Sequence, residues 1–111
     1  MSPEIPLACR LDALDAEERF RRHVLWQDLR GGALEIAERE GGFSFRFPSS
    51  AHVLSKLVEF VSLERVCCPF LHFEIDIHPG GGPLWLHVGG NAQVKAFLQE
   101  TLARNPGSAN G

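Results

Sequence analysis

Cys67 and Cys68 stand side by side and are followed at once by Pro69, and Cys9 is the only other cysteine in the chain. Neighbouring thiols bond to each other with difficulty, because a disulfide wants its Cα atoms well separated and its Cβ vectors facing. Both can still point at a soft third partner. On a helical wheel, Val53, Leu54, Leu57, Phe60 and Val61 set the apolar arc of the helix that ends at these cysteines. Cys68 falls inside that arc, Cys67 at its edge, and Glu64 points between the two from one turn earlier. A carboxylate in that direction carries a desolvation cost unless its charge or proton is used. Arg22 and Arg65 are the cations that could neutralise it.

Three chemistries fit these residues. Thiolates select soft ions, so Cys67 and Cys68 with Cys9 as a third sulfur suit mercury(II), arsenite or copper(I). Zinc would want a fourth ligand, for which Glu64 or His72 is nearest in sequence. A thiol-dependent redox or transferase-type enzyme is the second reading. It is opposed by the helix carboxyl end, whose dipole disfavours a thiolate, and by the charge of Glu64. In the third, the cysteines are small buried hydrophobes in an interaction module, with Glu64 merely ion-paired. The order of preference is soft-ion binding for sequestration or delivery, then the other two.

The elements that must position these groups read as helix, two strands, helix, two strands, helix. Asp15 and Glu18 form a capping-box pattern for the first helix, which Gly31-Gly32 should end. Its apolar residues split into Leu25, Trp26 and Leu29 on one stripe and Phe20 and Val24 on another, as in a helix wedged between surfaces. Leu34 and Ile36 alternate with polar residues, Gly41-Gly42 turns the chain, and Phe43, Phe45 and Phe47 continue the alternation. Ser50 offers a cap to the central helix, residues 51–68. Leu71, Phe73, Ile75 and Ile77 mark a third strand, and Leu84, Leu86 and Val88 a fourth. Asn91 caps a last helix carrying Val94, Phe97, Leu98 and Leu102 on one face.

The two strand-strand-helix stretches repeat each other in pattern. They predict an α+β domain over residues 1–104, with one four-stranded antiparallel sheet and helices packed on its apolar face. The Gly-, Ser- and Asn-rich stretch 105–111 is expected to be a disordered tail. The other sheet face would carry Arg46, His72, Glu74, Trp85 and His87, too aromatic for a plainly solvated surface. It should be covered by the first helix or by a second copy in a homodimer. His72 and His87 could meet there as a cross-strand nitrogen pair.

With a net charge of -3 over 111 residues, the chain has no global attraction for nucleic acid or an anionic membrane. No apolar run is long enough to span a bilayer, and residues 1–10 do not read as a secretory signal. An odd cysteine count argues against a disulfide framework, so the expected setting is the reducing cytoplasm with free thiols.

The run Leu63-Glu64-Arg65-Val66-Cys67-Cys68-Pro69-Phe70, followed by Phe73, resembles a small family of bacterial proteins with a Glu-Arg-x-Cys-Cys-Pro-Phe core. Gly81-Gly82-Pro83-Leu84-Trp85-Leu86 and Val94-Lys95-Ala96-Phe97-Leu98 extend the likeness over most of the chain, including a cysteine where Cys9 stands. The resemblance implies no activity. It does imply that Glu64, Cys9, Cys67 and Cys68 belong to one pattern, which favours a shared soft-ion site.

Overall fold

A computed structural model describes residues 9–104, so the expectation for the tail at 105–111 lies outside the described residues. The elements are a 3-10 turn at Leu11–Ala13, then α1 (Ala16–Gly32), β1 (Glu35–Arg39), β2 (Gly42–Phe47), α2 (Ala51–Cys67), β3 (His72–Ile77), β4 (Leu84–Gly89) and α3 (Ala92–Arg104). The strands form one antiparallel sheet in the order β1-β2-β4-β3. Two β-β-α units are thus joined at its centre, where β2 pairs with β4. This is the α+β architecture that the repeat predicts.

The caps fall on the expected residues. Asp15 accepts from the Glu18 backbone N–H at 2.8 Å while Glu18 accepts from that of Asp15 at 3.0 Å, a reciprocal pair that satisfies two otherwise free donors. Ser50 and Asn91 accept from the N–H groups of Val53 and Val94 at the starts of α2 and α3. At the other end of α1 the mechanism differs from expectation. Gly31 and Gly32 are its last helical residues, neither has a positive φ, and Ala33 leaves in extended conformation. The helix ends there through the low helix propensity of two glycines, without a left-handed cap.

Strand alternation divides the sheet cleanly. One row across it is Ile36, Phe45, Leu86, Ile75, and the adjacent row is Ala37, Ser44, His87, Glu74. Phe45, Phe47, Leu84, Leu86 and Val88 are buried against Leu57 and Phe60 of α2, Leu98 and Leu102 of α3, and Leu25 and Leu29 of α1. Trp26 wedges α1 into this layer, stacked on Phe60 at 5.9 Å and edge-on to Phe45 at 6.3 Å. Gly42 faces Gly89 at the sheet centre, where a Cβ on Gly42 would collide with the Val88 carbonyl oxygen. The absence of side chains lets β2 and β4 close their ladder there.

Because α1 packs on α2, it does not cover the polar face. On that face His87 shares a hydrogen bond with Ser44 at 2.7 Å, stacks on Trp85, and lies 3.7 Å from Asp76. The register sets His87 opposite Glu74 and His72 opposite Gly89, so the expected pair of histidines gives way to these other partners. Among the described residues, no helix is long and apolar enough to cross a membrane.

Candidate thiol site

The site forms where the chain enters and where α2 ends. Cys68 leaves the helix with its N–H bonded to the Glu64 carbonyl at 2.7 Å, closing the last turn. Its own carbonyl accepts from Leu71 N–H at 3.2 Å, so Pro69 and Phe70 sit on a tight turn. The entering segment is tied to the same spot by the Arg10 N–H, which donates to the Cys67 carbonyl at 2.6 Å. Leu14 is buried against Cys67 and Cys68, and Arg19 Nη1 holds the Leu14 carbonyl at 2.7 Å. These contacts bring the Cα atoms of Cys9 and Cys68 to 4.5 Å, and the two sulfurs are joined in a disulfide.

That bond corrects the expectation of three free thiols. An odd cysteine count weighs against a disulfide framework but leaves room for one bond and one free thiol. The Arg10–Cys67 backbone bond, with the burial of Leu14, places Cys9 within reach of Cys68. Cys67 is the one free cysteine, fully buried, with its sulfur 3.8 Å from that of Cys68.

Glu64 lies among the sulfurs, as the wheel predicts, and is buried. Its Oε1 is 3.0 Å from Cys68 Sγ and 3.8 Å from Cys67 Sγ. The Cys68 sulfur has no proton while it is in the disulfide, so that short approach is a packing contact. On reduction it becomes a thiol facing a carboxylate acceptor. Arg22 holds Glu64 from α1 in a two-pronged pair, Nε to Oε2 at 3.0 Å and Nη2 to Oε1 at 2.8 Å. Burial works against the Arg22 charge, but the hydrogen bonds and charge of Glu64 outweigh it and raise the guanidinium pKa further. The Cys67 thiol is pushed up, first by burial and then by the negative charge of Glu64, with Arg22 opposing both. It is therefore held as a neutral thiol, which makes it a poor nucleophile.

The ligating atoms of Cys9, Glu64 and Cys68 all lie within 4.8 Å of one another, a span that one ion could bridge. Cys67 adjoins this group through Cys68. His72 does not join it. It lies exposed on the polar sheet face, 3.7 Å from Glu74, because the strand alternation that turns Phe73 inward turns His72 outward. Arg65 is exposed, leaving Arg22 as the partner of Glu64.

Beside the sulfurs opens a cavity of about 210 Å³ between the helices and the sheet. Cys9, Cys68, Glu64 and Arg22 form one part of its wall, and Trp26, Phe45, Phe60, Phe73, Leu98 and others form the rest. Sequence reasoning found the charged and thiol residues but missed this cavity and the anchoring roles of Arg10, Leu14 and Arg19. The place of Leu14 immediately before the Asp15 cap is its one sequence signal.

Compared with known protein families, curated proteins and solved structures, the chain matches none.

Proposed function

We propose that the reduced protein binds a soft thiophilic ion through Cys9, Cys67 and Cys68, for sequestration or delivery. The observation that carries this reading is the convergence of Cys9, Glu64 and Cys68 within 4.8 Å, with the Cys67 sulfur 3.8 Å from Cys68. Charge narrows the choice of ion. Glu64 is already neutralised by Arg22, so a buried complex that is itself neutral has the smallest desolvation cost. Mercury(II) with two thiolates is neutral, and so is arsenic(III) with three. Copper(I) with two thiolates, or zinc with three, leaves a net negative charge in the core. The preference expected is therefore mercury(II) and arsenite over copper(I) and zinc.

The test is equilibrium titration of the fully reduced protein with these four ions, beside Cys9→Ser, Cys67→Ser and Cys68→Ser variants. Tight one-to-one binding of mercury(II) and arsenite, lost in Cys9→Ser and Cys68→Ser, supports the reading. Equally weak binding by all four proteins refutes it.

The disulfide favours a second reading, dithiol–disulfide exchange at Cys9 and Cys68. That reading requires one of the pair to react much faster than Cys67 with limiting iodoacetamide after reduction. Uniformly slow alkylation of all three thiols removes it.

A further inference from the structure

The cavity beside the sulfurs has a composition that an inorganic ion does not use. Its wall includes Cys9 and Cys68 but not Cys67, and beyond the sulfurs it is mostly aromatic and aliphatic. Two of the three sulfurs thus border an apolar chamber, and the third lies outside it. A trivalent arsenic centre carrying one organic group matches this division, since it needs two sulfurs and has a hydrocarbon substituent to bury. An apolar cavity of about 150 Å³ accepts a benzene ring. The chamber here, at about 210 Å³, is roomy enough for an aryl group.

We infer that the preferred ligand of this site is an organoarsenical or similarly organo-substituted thiophile, held by Cys9 and Cys68 with its hydrocarbon group in the cavity between α1, α3 and the sheet. This rests on the soft-ion reading and narrows it to a substrate class. The disulfide must first be opened by a low-molecular-weight thiol. Two equivalents of that thiol give the free Cys9 and Cys68 thiols and one small disulfide. An arsonous acid, R–As(OH)₂, then condenses with the two thiols. Two As–O bonds break, two As–S bonds form, and two waters leave with the two thiol protons. No electrons are transferred in this second step, and the product is neutral. Phe45, Trp26 and Phe60 line the chamber as a contiguous aromatic group, suited to an aryl substituent through offset or edge contacts.

Arsenite and phenylarsonous acid should therefore depend on different residues. Arsenite draws on all three sulfurs, so Cys67→Ser weakens it. Phenylarsonous acid needs only Cys9 and Cys68, so Cys67→Ser leaves it nearly unchanged. Filling the chamber with Leu98→Trp should have the opposite effect.

The experiment is competitive titration of the full, phosphine-reduced chain with arsenite, methylarsonous acid and phenylarsonous acid, each referenced to its affinity for dithiothreitol. The expected result is a preference for phenyl over methyl of about tenfold or more beyond that shown by dithiothreitol, in line with burial of a ring. Leu98→Trp should abolish this preference while arsenite binding persists, which also shows that the variant is folded. Should Leu98→Trp fail to fold, the phenyl-to-methyl ratio of the unaltered protein decides alone. Tight arsenite binding with a phenyl-to-methyl ratio equal to that of dithiothreitol overturns the inference and leaves the soft-ion reading standing. Failure of all three ligands to bind overturns both.

Discussion

Two arginine–glutamate pairs join α1 to α2 one residue apart on α1, with nearly the same geometry and opposite surroundings. Arg21 reaches Glu59 through Nε at 2.7 Å and Nη2 at 2.8 Å, and Arg22 reaches Glu64 through the same two atoms at 3.0 and 2.8 Å. The first pair stands in solvent, its side chains 49% and 42% exposed. The second is drawn under the helices, at 23% and 6%. In water such a pair gains little, because its charges are already well solvated. In the interior the same contact is obligatory, since either charge alone would be stranded. What sets the two apart is the company of Glu64. Its carboxylate touches the sulfurs, so the Arg22–Glu64 pair borders a candidate ion site, whereas Glu59 touches nothing of the kind.

The largest expected effect follows from breaking the buried pair. Glu64→Ala leaves Arg22 uncompensated and removes the acceptor facing both sulfurs. It should destabilise the fold by about 3–5 kcal/mol, read by urea denaturation. Glu64→Gln, which keeps the shape, should lose less stability but still alter arsenite affinity. A change in stability alone would reduce Glu64 to a structural role.

Next is the covalent tie between the entering segment and α2. Cys9 and Cys68 are 59 residues apart in sequence, and opening their disulfide should cost about 2–4 kcal/mol in the absence of a ligand. Saturating arsenite should restore part of that loss in the reduced protein, because a ligand that binds only the folded state stabilises it.

The pH response should be smaller. The folded protein raises the Cys67 pKa, so the associated stability is complete below the ordinary thiol range and declines as pH climbs through and beyond it. A Cys67→Ala variant should show a flatter alkaline limb in its denaturation midpoints. Identical limbs would mean that the thiol is not the group responsible.

Smallest of all is the exposed pair. Glu59→Gln should shift the denaturation midpoint little, and added salt should erase the difference. If it matched Glu64→Ala, the contrast between the two pairs would fail.

Much of this arrangement is legible in the chain. Alternation at Phe43, Phe45 and Phe47 and at Leu84, Leu86 and Val88, together with caps at Asp15, Ser50 and Asn91, depends on local spacing that a single sequence displays. Glu64 between the two cysteines is legible for the same reason, being a carboxylate on an apolar helical arc. The disulfide was hidden because it depends on where residues before α1 travel. That path is held by the backbone bond from Arg10 to Cys67, by Leu14 packed on the cysteines and by Arg19 on the Leu14 carbonyl, long-range contacts that local spacing does not display. His72 misled by its nearness in sequence, although the strand alternation already turned it to the opposite side. The cavity was invisible because it is bounded by side chains from all three helices and three strands.

On the proposed reading, one pair of sulfurs, Cys9 and Cys68, serves either a disulfide or a soft ion and never both. Arsenite titration of the protein with the disulfide intact, against the same protein fully reduced, tests this most directly. Tight one-to-one binding in the reduced protein, absent in the oxidised one, is the predicted result. Equal binding in the two states, or none in either, would contradict it.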